Sequence, residues 1–447
     1  MASAAEQLAS SMSLSSFSKA TELKTRIWFT LGALLVYRIG TYIPVPGVDA
    51  SVMGEMLAQH STGILGMFDM FSGGALGRMT VFALNIMPYI SASIIVQLMA
   101  GAVPSLEALK KEGESGRKKL NQYTRYLTVL IALIQSYGIA VGLEGMRGNF
   151  GAAVIDPGLF FRVSCVVTLV GGTMFLMWLG EQITARGVGN GTSLIIFAGI
   201  VANLPSALVN LLELGRTGAL SPIFILLFIA IAAAVVAFVV FMERAQRRVT
   251  VQYPKRQVGQ RMFGGDSTHM PLKVNTAGVI PPIFASSILL IPATIAGFAS
   301  NDPNSWLAWF GSKFAHGEPL YMIAYAGMIL FFSYFYTAIV FNTEETADNL
   351  KKYGGFIPGV RPGANTAQYF DTILTRLTTI GAVYLAIVCL LPEILIARYG
   401  VPFYFGGTSL MIIVSVTMDT VTQIQSHLLA HQYEGLIRKG RVKGRPR

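Results

Sequence analysis

Residues 62–100 read TGILGMFDMFSGGALGRMTVFALNIMPYISASIIVQLMA, and the pattern in that stretch decides the architecture. It begins with a short run rich in Met and Phe, Ile64-Leu65-Gly66-Met67-Phe68-Asp69-Met70-Phe71, which is too short to cross a bilayer and stops at Gly73-Gly74. A longer apolar segment starts near Gly77-Arg78 and runs to about Met99, long enough to span. A Gly-punctuated half-helix ahead of a full span predicts a re-entrant piece. Backbone of that kind is tolerated at membrane depth only where it is buried in protein or lines a cavity. The stretch is therefore expected to plug and line a central conduit.

The rest of the composition agrees with a membrane setting. Of 447 residues 53% are hydrophobic and only 13% charged, against roughly 25% charged in soluble domains. Mean hydropathy is +0.56. The chain is thus expected to be an all-α polytopic membrane protein. The first 25 residues are polar and Ser-rich, and no small-residue cleavage site follows a short apolar core. The first apolar segment is accordingly expected to be a retained span. Cys165 and Cys389 lie inside apolar runs and read as small core residues, neither a disulfide framework nor a metal site.

Ten segments are long and apolar enough to span: near 26–45, 77–99, 124–143, 159–182, 192–213, 219–242, 276–298, 319–341, 369–392 and 406–428. The connections alternate in charge. Loops 101–123, 243–275 and 342–368 and the tail from 429 to 447 are rich in Lys and Arg. The intervening loops hold little beyond Arg147, Arg216, Lys313 and Arg398. Positive residues stay cytoplasmic, so both termini and the loops joining even to odd spans are expected inside. Five spans precede Arg216 and five follow, a count that permits two five-span halves of opposite orientation.

Little in the chain suggests chemistry. Arg38, Arg78, Glu181, Glu243, Asp371, Arg376 and Asp419 all fall near expected span ends or within a few turns of them. No mid-span Asp/Glu pair of the sort that relays protons is present, which counts against an ion-coupled transporter for a small solute. No nucleophile–base set emerges, so an enzyme is not expected, and neither is a cofactor. His427 and His431 share a helix face at a spacing that can hold zinc. They lack the intervening Glu of the protease pattern, and a helix end beside the basic tail is the expected reading. Gly187-Val188-Gly189-Asn190-Gly191-Thr192-Ser193 has the look of a phosphate loop but follows a span and lacks the Lys. It reads as a tight turn between spans.

Ile86 and Ile90 sit at i,i+4 on one face, beside Asn85, Ser91, Ser93 and Gln97, with Pro88 between them expected to distort the span. Two readings stand: lipid-facing isoleucines on a kinked helix, or a collar of branched side chains that shuts out water and ions by dewetting. The long loops 243–275 and 342–368 present Arg247-Arg248, Lys255-Arg256 and the turn Gly355-Phe356-Ile357-Pro358-Gly359-Val360-Arg361-Pro362-Gly363. Their charge serves topology, and cations on Gly/Pro-shaped projections also suit docking to RNA phosphates or an acidic protein face.

Five stretches resemble the SecY family, the central subunit of the bacterial protein-conducting channel: MFSGGALGRMTVFALNIMPYISASI, ARGVGNGTSLIIFAGI, STHMPLKVNTAGVIPPIFASSI, GFIPGVRPG and GGTSLMIIVSVTMDT. They occur in the family's order along nearly the whole chain. The resemblance implies ten transmembrane helices in two pseudo-symmetric five-helix halves around a central hourglass pore. On that plan 1–25 is a cytoplasmic segment, 26–214 the first half with a plug near 62–74, 215–428 the second half, and 429–447 a basic cytoplasmic tail. It implies that Ile64, Leu65, Gly66, Met67, Phe68, Asp69, Met70 and Phe71 form the plug, and that Ile86, Ile90, Ile195, Ile283 and Ile412 belong to the pore ring. Ser91, Gln97, Ser286 and Ser287 are implied at a lateral gate formed by spans 2 and 3 facing 7 and 8. Arg361, then Arg247, Arg248, Lys255 and Arg256, are implied in docking the ribosome or the motor ATPase SecA.

The resemblance further implies SecE and SecG as membrane partners, signal sequences and unfolded secretory chains as cargo, and membrane lipid as the destination of released segments. The location implied is the bacterial cytoplasmic (inner) membrane. Asp69 departs from a wholly apolar plug and is expected to face the wet outer funnel.

Overall fold

In lipid a backbone finds no polar partner outside the protein, so each apolar run of about 20 residues must satisfy its own N–H and C=O groups as a helix. The computed structural model describes residues 21–49, 52–53, 69, 72–145, 147–148, 151–217, 221–254, 256–258, 261–263, 267–298, 318–399 and 407–443. Each expected span contains a helix. In chain order these are α1 Thr21–Gly40, α2 Met87–Ala102, α4 Glu114–Gly145, α5 Leu159–Arg186, α6 Gly191–Arg216, α7 Pro222–Arg244, α8 Ile280–Phe298, α9 Pro319–Val340, α11 Ala364–Tyr399 and α12 Gly407–Lys443. Two short helices, α3 Pro104–Lys111 and α10 Thr343–Lys352, lie in the connections. Among the described residues six helices are by themselves long and apolar enough to cross a membrane. Large apolar side chains cover their outer faces: Phe160 is 89% exposed and Ile223 80%. Water would penalise that surface and lipid does not, so the chain is a multi-pass membrane protein.

The chain divides into two compact units. One contains residues 1–100, 105–208 and 412–447. In it α4 packs along α5, and α1 packs on α5. Its core gathers Val45, Val48, Met79, Leu84, Leu143, Phe161 and Leu169. The turn 187–190 is held by both ends of the unit's sequence. Thr30 Oγ1 of α1 accepts from Val188 N, and Gln423 Oε1 of α12 accepts from Gly189 N. Val188 is buried with Leu23 and Leu428. Asn190 Oδ1 then accepts from Thr192 N and so caps α6. The glycine-rich motif is a helix-start turn, as its lack of a lysine suggested.

The second span differs from its expected form. A continuous helix over 77–99 was the expectation, yet 72–86 is a chain of turns and α2 begins only at Met87. Met79 (φ +44°) and Asn85 (φ +50°) adopt left-handed backbone, which no helix accommodates. The hydrogen bonds that a helix would have made go sideways. Val45 N donates to Met79 O, and Val81 N donates to Ile43 O, each at 2.9 Å. Pro88 becomes the second residue of α2, where a missing N–H costs nothing, and it produces no mid-span kink. The sharp change of direction comes at the other end, where α3 turns 102° from α2.

The irregular segment presses against its neighbours through glycines. A Cβ on Gly172 of α5 would stand 2.1 Å from Val81 O, and one on Gly40 would stand 1.9 Å from the Phe82 ring. Gly172→Ala is expected to lower stability by about 1–3 kcal/mol, because a backbone oxygen cannot swing aside. The neighbouring Gly171, whose Cβ would meet nothing within 4 Å, should tolerate alanine with no loss of Tm in detergent. Equal Tm values for the two variants would show that 72–86 does not bear on α5.

The other unit contains residues 101–104 and 209–411. Its helices α8 and α11 each pack against α9, and α10 lies on α11. The loop 243–275, expected as a basic projection, contains β-structure. Strand β3 Gln246–Gln252 pairs antiparallel with β6 Ser267–Lys273, from Gln246 opposite Lys273 to Gln252 opposite Ser267. Beyond them β4 Arg256–Val258 pairs with β5 Arg261–Phe263. The alternation Val249-Thr250-Val251 explains the outcome, since Val249 and Val251 are buried and Arg247 and Arg248 are not. A further short hairpin joins β1 Arg147–Gly148 to β2 Gly151–Ala152 in the first unit.

Candidate functional site

The irregular segment is a mount. Its first residues fold around Asp69, whose carbonyl accepts from Gly74 N (2.8 Å) and from the Ser72 hydroxyl (3.0 Å). The Asp69 carboxylate turns inward and accepts from Gly77 N at 2.6 Å. An outward-facing charge was expected there. The polypeptide instead uses it to satisfy a part-buried backbone N–H, the same role a carboxylate plays at a helix start. Ile64, Leu65, Gly66, Met67, Phe68, Met70 and Phe71 lie outside the described residues.

Helix α1 grips the mount from the side. The buried Tyr37 hydroxyl donates to Ser72 O at 3.2 Å, and Arg38 Nη1 donates to Gly73 O at 2.8 Å. Arg78 adds Nη2 to Gly73 O (3.2 Å) and Nε to Gly74 O (2.9 Å). Both guanidiniums then stack on one aromatic ring: Arg78 lies 4.1 Å and Arg38 5.0 Å from the centroid of Tyr42. Gly73 and Gly74 have φ of +69° and +82°, which a side chain would strain. No resemblance or motif pointed to Arg38, Tyr37 or Tyr42. Arg38 and Tyr42 are readable as neighbours at i,i+4, but the approach of Tyr37 to Ser72 and of Arg38 to Gly73 was not.

At the far end of the mount Ile86 is fully buried, and its carbonyl accepts from Tyr89 N and Ile90 N. Ile86 and Ile90 therefore fall one helical turn apart at the start of α2, with Ile90 half-buried. Ile195 of α6 and Ile412 of α12 are buried, and Ile283 of α8 is half-buried. None of the five is an exposed position. The Ile195 Cδ1 stands 3.6 Å from where a Cβ on Gly180 would be, so that side chain lies toward α5.

The candidate gate residues spend their polarity locally. Ser286 and Ser287 are buried, and both hydroxyls donate to Ile283 O, at 2.9 and 2.8 Å. Back-bonding of this kind lets a hydroxyl sit in an apolar setting without an outside partner. Gln97 Nε2 donates to Ser93 Oγ at 3.2 Å, and Ser91 is half-buried.

The cationic residues stand on a platform that neither loop forms alone. Gln252 N donates to Phe356 O and Phe356 N to Gln252 O, both at 2.9 Å, which joins β3 to the turn 353–363. Val249 and Leu272 of the hairpin share a core with Ile357, Phe370, Ile373 and Leu377. Arg247, Arg248 and Arg361 are exposed on this body. Gly359 (φ +84°) and Gly363 (φ +106°) shape the turn that carries Arg361, and the Thr366 hydroxyl donates to Arg361 O at 2.9 Å. Arg256 lies on β4, and Lys255 is outside the described residues. Among the described residues no group of three or more His, Cys, Asp or Glu is placed to hold a metal ion.

Comparison with known proteins agrees with the resemblance. A family model described as SecY matches residues 80–421. A curated protein of Rickettsia bellii (strain RML369-C), named Protein translocase subunit SecY, is 55% identical over 431 residues, covering 96% of this chain and 99% of that protein. Its namesake in Escherichia coli (strain K12) is 55% identical over 424 residues, covering 95% and 96%. Among solved structures, one described as the structure of a protein conducting channel matches with a TM-score of 0.63 at 16% identity, covering 91% of this chain and 92% of that one. Another, described as Sec61 in the canine ribosome-channel complex from the endoplasmic reticulum, matches with a TM-score of 0.60 and the same coverage.

Proposed function

The chain belongs to the SecY family, and from that premise we propose how its residues conduct a polypeptide. It is a protein-conducting channel: it passes unfolded secretory chains across the membrane, releases apolar segments sideways into lipid, and does no chemistry of its own. Ile86, Ile90, Ile195, Ile283 and Ile412 form the collar of an hourglass throat, closed from outside by the plug at residues 64–71. An aliphatic collar offers no fixed charge and no strong hydrogen-bond partner, so it holds no sequence tightly and still excludes hydrated ions by dewetting. The observation that carries this reading is the burial of Ile86 at the end of a non-helical mount. Irregular backbone at membrane depth is tolerated where it is enclosed by protein or lines a cavity.

Ser91, Gln97, Ser286 and Ser287 border the side exit between spans 2 and 3 and spans 7 and 8. A signal sequence, itself an apolar helix, opens that exit by binding the open state better than the closed one. The Arg247, Arg248, Lys255, Arg256 and Arg361 surface docks the ribosome or the motor ATPase SecA. Ribosome-bound relatives of the fold support the first partner. SecE and SecG complete the assembly in the bacterial inner membrane, with residues 1–25 and 429–447 on the cytoplasmic side, a placement that the charge of the alternate loops supports.

Reconstitution tests the reading. In proteoliposomes containing this chain with SecE, SecG and SecA, a precursor should become protease-protected on addition of ATP, and the same precursor without its signal sequence should not. Substrate-dependent proton or sodium flux through the chain alone, with no protected precursor, would mark a solute transporter instead.

A further inference from the structure

We propose that Arg38 and Arg78 form a phosphate site at the end of α1, and that it binds the headgroup of an anionic phospholipid of the phosphatidylglycerol type. The inference needs α1 to cross a bilayer and is independent of the isoleucine collar. The two guanidiniums converge on one oxygen: Arg38 Nη1 lies 2.8 Å and Arg78 Nη2 3.2 Å from Gly73 O. They also share the Tyr42 ring, at 5.0 and 4.1 Å from its centroid. Two like charges held that close repel, and among the described residues neither forms an ion pair. Asp69 stands within electrostatic reach of Arg78, but its carboxylate accepts from Gly77 N. Even with Asp69 ionised, the site keeps an excess of positive charge.

Donors are left over as well. A guanidinium carries five N–H groups in a fixed fork that matches phosphate oxygens. Neither arginine spends more than three of them on the described residues. Arg38 donates to Thr41 Oγ1, Gly73 O and the Tyr42 hydroxyl, and Arg78 donates to Gly73 O and Gly74 O. The backbone carbonyls hold both forks in place, so an incoming anion meets donors that are already oriented.

The surroundings select a lipid over a free anion. Leu31, Leu35 and Ile39 follow one another at i,i+4 along one exposed face of α1. That stripe reaches the exposed Tyr42, on whose ring both guanidiniums lie. Acyl chains laid along the stripe therefore bring a headgroup to the arginines. Helix α1 has 20 residues, about 30 Å of helix, which matches the hydrocarbon core and puts its last turn at the interface. A free phosphate gains nothing from the stripe. A zwitterionic headgroup brings a further cation to a site already in positive excess.

The test uses the full chain with its membrane partners in phosphatidylcholine vesicles. These carry a small fraction of lipid with a photoreactive acyl chain and either a phosphatidylglycerol or a phosphatidylcholine headgroup. The glycerol form should label Leu35, Ile39 or Ile43 about fivefold more, the preference one uncompensated basic residue confers near anionic lipid. Ile323, exposed on α9, whose helix carries no Lys or Arg, should be labelled equally by both. Arg38→Gln with Arg78→Gln keeps neutral amide donors and removes the charge, and should bring α1 down to the parity of Ile323.

Equal labelling of α1 in the wild type would overturn the proposal, a result that depends on no variant folding. A preference that survives the double variant would overturn it too. Labelling of α1 by neither lipid would show a partner helix covering the stripe, and would likewise contradict a lipid there. Inorganic phosphate added at constant ionic strength should leave the preference unchanged. Loss of the preference would make the free anion the ligand and overturn the lipid assignment.

Discussion

Glycine at both positions 86 and 90 is expected to raise resting ion conductance in a planar bilayer by at least about tenfold. Each branched side chain contributes roughly 1.5–3 kcal/mol of apolar contact when buried, and 1.4 kcal/mol corresponds to a factor of ten in an equilibrium constant. Ile86 is fully buried and its carbonyl accepts from Ile90 N, which puts the two residues one turn apart at the start of α2. Losing both removes aliphatic contact from one turn of the proposed collar. The leucine pair Ile86→Leu, Ile90→Leu retains volume and should retain the seal, which separates a leak from simple unfolding. Unchanged conductance in the glycine pair would place these residues in ordinary packing and remove them from the collar.

Arg361→Glu should reduce SecA-driven precursor transport at least about tenfold while leaving membrane insertion and the amount of the protein unchanged. Truncating a central interfacial arginine commonly costs 2 kcal/mol or more, and reversing its charge adds repulsion. The site is built for presentation. Arg361 is exposed, its carbonyl is tied to Thr366, and glycines at 359 and 363 with positive φ shape the turn around it. The exchange leaves the underlying core of Val249, Leu272, Ile357 and Phe370 untouched, so no folding defect is expected. Arg361→Lys keeps the charge and loses the planar fork, and should fall between the two. Full transport by Arg361→Glu would remove the docking role from this turn.

The helices were legible because their cause is local. A run such as Pro222–Arg244 is apolar on every side, and no alternative backbone survives lipid. The mount at 72–86 was not legible. Its residues are as apolar as a span, and their departure from helix depends on carbonyls of Ile43 and Met79 meeting N–H groups from elsewhere in the chain. Gly73-Gly74 signalled an interruption, but nothing local indicated that it would continue as far as Ile86.

The basic hairpin was missed for another reason. Arg247, Arg248, Arg256 and Arg261 drew attention to charge, while the telling signal was the period-two pattern of Val249 and Val251, matched by Leu272 on the partner strand. That the two basic loops form one body, through Gln252 and Phe356, is a tertiary fact between residues more than a hundred positions apart in sequence. The role of Asp69 could not be read either. A carboxylate in an apolar run has no visible partner until Gly77 folds back on it.

The most direct measurement is site-specific photocrosslinking of a secretory chain arrested midway through transport. A photoreactive side chain placed at position 86 or 90 should form adducts with the arrested chain, and position 195 should do so less, because Ile195 lies toward Gly180. The same probe at Phe160 or Ile223, on outer faces of α5 and α7, should form none. Adducts at positions 160 and 223, with none at 86 and 90, would contradict a polypeptide path through the isoleucine collar.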